Sequence, residues 1–286
     1  MDHPQIQVFF DEDSNTFTYL VSDPATKSTA IIDPVLDFSQ ASGRTQTDSA
    51  EQLVEYIDVH DLKIKWILET HAHADHLSSA QWLKEKYQVP VCIGKNITQV
   101  QDVFNSLFNL GESGGKESDF NQLLSDGDKL PLGNLSIEVM HTPGHTPACI
   151  CYKINDSVFV GDTMFMPDYG TARCDFPGGD ASALYDSIQK ILSLPDETQL
   201  YMCHDYMPNG REALWQTTVA EQKAHNIHIK DGISRETFIQ KRTTRDATLT
   251  APRLILPSIQ INIRAGKLPE KESNGSAYLK LPLNKI

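Results

Sequence analysis

The chain has 286 residues, a formal net charge of −13, 40% hydrophobic and 22% charged residues. That balance excludes a disordered or fibrous chain, and the surplus of carboxylates argues against a nucleic-acid partner, whose phosphates would be repelled. No apolar run approaches the ~20 residues needed to cross a bilayer, and MDHPQIQVFF lacks the regions of a secretory signal, so no membrane partner and a cytoplasmic location are expected.

Taken in chain order, VFFDEDSNTFTYLVSD predicts a hairpin around a polar turn, and STAIIDPV a strand stopped by Pro34. Residues 35–48 read as a polar loop. DSAEQLVEYIDVHD predicts a helix capped by Asp48 or Ser49, with Leu53, Val54, Ile57 and Val59 on its apolar side. KIKWIL reads as a buried strand, and SSAQWLKEKY as a helix opened by a Ser78–Gln81 capping box. VPVCIG is the next strand. Residues 105–120, with Gly111, Gly114 and Gly115 among charges, read as a mobile surface excursion.

Alternating Leu135, Ile137 and Val139 open a group of two or three strands broken by Pro143-Gly144 and Asn155-Asp156 turns. ASALYDSIQKILSL is an amphipathic helix, and TQLYMCHDY a strand ending at a histidine. Two helices near 212–225 and 234–243 and an irregular Pro-rich tail complete a single domain over 1–286, with a helical and irregular extension from about 211 to 286. Cys92, Cys149, Cys151, Cys174 and Cys203 form no CxxC pair and read as free, inert thiols in a reducing compartment.

LETHAHADHLSSA sits between a predicted strand and a predicted helix, where layered α/β folds place ligand sites. His71, His73, Asp75, His76, His145, Asp162 and His204 all fall at turns after apolar runs, so strand ends would bring them together along one edge. Imidazole and carboxylate donors suit zinc, iron, manganese or nickel. HxHxDH allows two adjacent metals bridged by Asp162 with a hydroxide nucleophile, or one metal held by two His and one Asp with open positions.

THAHADH, HTPGHT, GDT and CHDY, in this order between Thr70 and Tyr206, resemble the metallo-β-lactamase superfamily. The resemblance implies an α/β fold, a four-layer αββα sandwich with a metal site at one edge of the sheets. Two branches fit. Glyoxalase II is a two-metal thioesterase acting on S-lactoylglutathione; the persulfide dioxygenase branch is mono-iron and oxidises glutathione persulfide with O2 to sulfite and glutathione. GDTMFMPDYGTARCDFPGGD and PGHTPAC resemble the second branch, with Arg173, Asp175 and Phe176 matching its GRxDF-like element and Ala148 replacing a glycine.

That resemblance implies an enzyme with one Fe(II) per chain on His71, His145 and Asp162, with one or two zinc ions as the alternative. His73, Asp75, His76 and His204 become a second metal site or the groups that orient the ligands. Asp162 acts as a catalytic ligand; Arg173 and Asp175 organise the catalytic loop, by pairing with each other. Tyr206 is expected to contact a thiol persulfide that reacts with O2, and relatives imply a homodimer. Where those relatives carry an Arg for the glutathione carboxylate, this chain has His228, which cannot bind bidentately, so a different thiol carrier remains open. The alternative function is a two-zinc hydrolase of the glyoxalase II type acting on a thioester or lactone.

Overall fold

The structure, a computed structural model, describes residues 3–285. Its elements in order are β1 (Gln5–Asp11), β2 (Thr16–Ser22), β3 (Ser28–Ile32), β4 (Val35–Ser39), β5 (Arg44–Gln46), α1 (Asp48–His60), β6 (Lys63–Leu68), β7 (Leu77–Ser78), α2 (Ala80–Tyr87), β8 (Val91–Gly94) and α3 (Ile97–Leu107). There follow β9 (Gln122–Leu124), β10 (Lys129–Leu132), β11 (Leu135–His141), β12 (Ile150–Ile154), β13 (Ser157–Phe159), α4 (Ala181–Leu192), β14 (Gln199–Tyr201), β15 (Gln216–Thr218), α5 (Val219–His225), α6 (Arg235–Asp246) and α7 (Ile255–Asn262).

Two mixed sheets, β1-β2-β3-β6-β8-β9 and β10-β11-β12-β13-β14-β15, face each other. The pleat explains the layering, because successive side chains leave opposite faces of a strand. Phe17, Tyr19 and Val21 of β2 meet Ile137, Tyr152 and Phe159 between the sheets. Leu20, between them in sequence, faces α1, α2, α3 and α7 on the outside. Cys151 and Val158 point to the other outer layer, against α4 and Phe238 of α6. The result is the αββα sandwich, and each such aromatic or aliphatic side chain contributes ~1.5–3 kcal/mol by burial.

Several expectations change. Residues 35–48 are no plain loop: after Pro34 the chain swings out, and β4 pairs with β5 and with β7, as Val35↔Ser78 and Leu36↔Leu77. That partner lies over forty residues away, so no local pattern announces it. Val59 is 73% exposed, on the solvent side of α1. Thr47 holds the N-cap position of α1 and Ser79 that of α2, neither with a side-chain cap bond. Ser78 instead donates to the Glu69 carboxylate.

The 105–120 segment is pinned rather than mobile. Asn105 takes both polar groups of Gly115 at 2.8 Å, and Gln101 Nε2 donates to Lys116 O at 3.0 Å and Ile263 O at 2.8 Å. The helix near 212–225 is shorter, with β15 taking Gln216–Thr218 and α5 following. The Pro-rich tail contains a buried helix, α7: Pro257 lies in its first turn, where no intrahelical N–H bond is needed.

Candidate metal centre

Each strand end delivers its donor for a local reason. β6 ends at Leu68, and Thr70 N–H and Oγ1–H bind Asp33 Oδ1 and Oδ2 at 2.7 and 2.8 Å, fixing where His71 begins. The 143–145 turn needs Gly144: its φ is +143°, and a Cβ there would stand 2.4 Å from the Leu184 backbone. Gly161, at φ +52° against Thr70, likewise lets Asp162 follow β13 into the site.

His71, His145 and Asp162 converge, with donor atoms all within 4.8 Å of one another. Asp162 Oδ2 stands 3.8 Å from His71 Nε2 and 3.7 Å from His145 Nε2. Ligands ~2.0–2.2 Å from one cation stand roughly 3–4 Å apart, so the spacing fits a metal. The tautomers fit too. His145 Nδ1 donates to Arg173 O at 2.8 Å, and His71 Nδ1 lies 3.0 Å from Thr70 Oγ1, whose own proton goes to Asp33. Both Nε2 lone pairs are left free to bind. Burial, then the charges of His73, His145, His204 and His76, hold His71 well below the usual histidine range, so it is neutral and ligand-ready.

The four residues expected as second metal site or surround divide. His73 turns Nε2 to Asp33 Oδ1 at 3.1 Å and Glu69 Oε2 at 3.4 Å, off-axis charge contacts rather than aligned hydrogen bonds. Burial opposes charge on His73, but Asp33 and then Glu69 outweigh it and raise its pKa well above the ordinary value. His73 also stands with Asp75 and His76, one donor atom of each within 4.8 Å of the others, and His204 adjoins Asp75. His204 Nε2 is 3.4 Å from Asp75 Oδ2 and 3.2 Å from Asp162 Oδ1. Asp75 Oδ2, His76 Nε2, His204 Nε2 and Asp162 Oδ1 are all buried without a hydrogen bond. Burial, with the charge of His73, holds His76 down to about 4, so its Nε2 carries a lone pair. Orphaned donors of this kind fit a second cation or a shared proton.

The donors floor a pocket of about 700 Å³. One wall is aromatic: Tyr206 stacks on Tyr169 at 4.7 Å and meets Phe165 edge-on. More of the lining comes from the C-terminal extension, with Arg242, Arg245 and Arg253. Arg242 is spent on Asp246, and Arg253 reaches only the Asp13 carbonyl at 3.4 Å. Among the described residues the Arg245 side chain makes no ion pair and no hydrogen bond; its backbone carbonyl accepts from Thr248. His228 also lines the pocket, but its Nδ1 accepts from Thr171 N–H at 3.0 Å. Burial and the charges of Arg242, Lys241 and Arg245 push it down to about 4, so it is a neutral Nε2–H donor.

Arg173 grips Asp175 with two bonds of 2.6 Å and Thr250 O with a third of 2.7 Å. Its side chain lines the pocket whereas Asp175 does not. The cysteines are all buried, and burial lifts Cys149 to about 12 and Cys151 to about 11, leaving protonated, unreactive thiols.

Sequence reasoning missed Asp33, Glu69, Asn262 and the arginines of the extension. Asp33 carried the same sign as the residues it found, a carboxylate ending a strand. Asn262 had none: from α7 it donates to His73 O at 2.8 Å and His76 O at 2.7 Å and accepts Ser78 N–H at 2.9 Å, clamping the histidine loop.

The metallo-β-lactamase superfamily matches residues 11–204. The chain is 52% identical to a probable metallo-hydrolase of Burkholderia pseudomallei, over 98% of this chain and 99% of that one. It is 30% identical to the mitochondrial persulfide dioxygenase of Bos taurus, over 91% and 88%. The crystal structure of ETHE1 from Myxococcus xanthus superposes with a TM-score of 0.75 at 33% identity, covering 92% of this chain and all of that one. Among the described residues no helix is long and apolar enough to cross a membrane.

Proposed function

The chain belongs to the metallo-β-lactamase superfamily, and from that premise we infer that it is an Fe(II)-dependent persulfide dioxygenase. The reaction takes a thiol persulfide, O2 and water to the free thiol, sulfite and two protons. The observation that carries this reading is the triad of His71, His145 and Asp162, with both imidazole tautomers fixed and both Nε2 atoms turned to one carboxylate oxygen. Two His and one Asp leave open positions, as oxygen chemistry at non-haem iron requires. The 30% identity to a named persulfide dioxygenase supports the same choice.

Fe(II), when bound, supplies the one-electron and O2 chemistry that no side chain can. The chain's own groups position and exclude. Arg245, unpaired at the pocket wall, suits a carboxylate of the thiol carrier, and His228 adds a neutral N–H donor beside it. Glutathione therefore fits despite His228. Tyr206, Tyr169 and Phe165 form an aromatic wall that keeps water from the sulfur end of the substrate. His204 places Nε2 3.4 Å from Asp75 Oδ2 and 3.2 Å from Asp162 Oδ1, with Asn15 O and Thr16 Oγ1 at its other nitrogen.

A second reading rests on one observation: the orphaned Asp75 Oδ2, His76 Nε2, His204 Nε2 and Asp162 Oδ1 would suit a second cation, as in a two-zinc thioester or lactone hydrolase. The deciding experiment is oxygen uptake by anaerobically Fe(II)-loaded protein given glutathione persulfide, with sulfite assayed in parallel. Uptake matched by sulfite is expected. No uptake from protein carrying one iron per chain, together with thioester hydrolysis by the two-zinc form, would overturn the dioxygenase reading.

A further inference from the structure

We propose that Asp246, held by Arg242, tunes the metal ligand His145 through the single peptide group that joins Arg173 to Cys174. The carbonyl of that peptide accepts His145 Nδ1–H at 2.8 Å. Its N–H donates to Asp246 Oδ2 at 2.9 Å. The two bonds therefore load opposite ends of one conjugated amide. A carboxylate at the N–H end pushes electron density toward the carbonyl oxygen, and linked hydrogen bonds strengthen one another by about 10–30% per bond. A more negative carbonyl draws the Nδ1 proton harder and makes Nε2 a stronger donor to a metal.

Asp246 is built for this task. Arg242 Nε and Nη2 both bind its Oδ1, at 2.9 and 2.6 Å, and leave Oδ2 to the peptide. Both side chains are buried, at 4% and 5% exposure, so little water screens the charge. Arg242 Nη1 also donates to Thr171 O at 2.9 Å, so the pair on α6 grips residues 171 to 174 at both ends. His71 has a parallel arrangement: its Nδ1 reaches the buried carboxylate of Asp33 through one hydroxyl, that of Thr70. Each imidazole of the triad thus ends on a buried carboxylate through one intervening group. Asp246 is a positioning residue, contributed by the C-terminal extension.

The inference rests on His145 binding a metal and not on which reaction follows. Its test uses Co(II) as the probe, in the full-length protein, with two readouts. One is Co(II) affinity by chelator competition; the other is the proton spectrum, where ring N–H protons of ligand histidines are hyperfine-shifted and separately visible. In Asp246→Asn, Co(II) affinity is expected to fall about threefold to tenfold, below the 10–100-fold typical when a direct partner is lost. The His145 Nδ1–H resonance moves and exchanges faster with water, while that of His71 stays. A double variant, Arg242→Met with Asp246→Leu, exchanges the ion pair for apolar side chains, a swap that is often neutral for stability, and should give the same signature where the single variant folds poorly. Unchanged affinity and an unchanged His145 resonance in either folded variant would overturn the proposal. Equal movement of both ring protons would also overturn it, because a staple that merely holds α6 in place loosens the site as a whole. If the unmutated protein binds no Co(II), the metal-centre reading fails and this inference fails with it.

Discussion

Asp33 accepts two hydrogen bonds from Thr70, one from its N–H at 2.7 Å and one from its hydroxyl at 2.8 Å, and the same hydroxyl stands 3.0 Å from His71 Nδ1. Replacing Thr70 with Val keeps the shape and removes the hydroxyl. His71 then has no acceptor to fix its tautomer, and metal affinity should fall about 10–100-fold. Chelator competition on the loaded protein measures this, and an unchanged affinity would show that Thr70 has no part in orienting His71.

The split among the cluster residues predicts unequal losses. His71→Ala should abolish binding of the single iron. His76→Ala should keep one iron per chain and retain oxygen uptake to within about tenfold, since its orphaned Nε2 is no part of the His71, His145 and Asp162 triad. Elemental analysis beside oxygen uptake decides. Loss of all metal in His76→Ala would favour the two-metal centre.

Arg245 is expected to act in binding alone. Arg245→Met should raise KM for glutathione persulfide by about tenfold, the equivalent of ~1.4 kcal/mol, with kcat nearly unchanged. His228, held down to about 4, does not titrate near neutrality, so His228→Gln should leave the shape of the KM profile between about pH 6 and 8 as it was. A kcat loss matching the KM change in Arg245→Met would contradict the assignment.

Asn262 ties α7 to the histidine loop by three hydrogen bonds. Asn262→Ala leaves two carbonyls and one N–H buried without partners, at a cost of ~1–3 kcal/mol for each group that water does not reach. Urea unfolding of the metal-free protein should show this, and a variant as stable as the parent would mean that the loop holds itself.

Asp23 ties the β2–β3 turn to the β10–β11 turn. It accepts from Thr26 Oγ1 at 2.6 Å, Asn134 N–H at 2.8 Å and Ala25 N–H at 3.1 Å. The Asn134 bond and then that of Thr26 lower its pKa below the usual carboxylate value. Its stabilising contribution is therefore complete above the unfolded value of about 3.9 and is lost as pH falls through the lower folded value. Asp23→Asn should flatten the acid limb of the stability curve below about pH 4 and lower stability at pH 7. A parallel acid limb in the variant would place the pH dependence elsewhere.

How much of this was written along the chain depends on the range of the force concerned. The apolar run Phe17-Thr18-Tyr19-Leu20-Val21 beside a polar turn and the alternation in Leu135-Ser136-Ile137-Glu138-Val139 mark strands, because a side chain's face is set by its own backbone. His71, His145, Asp162 and His204 were legible for the same reason: each sits where an apolar run stops. The β4–β7 pairing was not, since Val35 and Ser78 meet across segments that share no local pattern. Nor was α7, whose Pro257 looks like a breaker until its place in the first turn is known.

By itself, then, the sequence determined the donor types, their order and their arrival at strand ends, because composition and local periodicity are properties of neighbours along the chain. Only the tertiary structure decided what each donor faces. It turned His73 toward Asp33 and Glu69, set Asp75 beside His204 with a buried polar atom of each of Asp75, His76 and His204 left without a hydrogen bond, and brought Arg245, Asn262 and the Arg242–Asp246 pair from the last quarter of the chain to a site begun at His71. Tautomer, charge and metal affinity depend on groups within a few ångströms in space, and folding selects those groups from segments that share no local pattern.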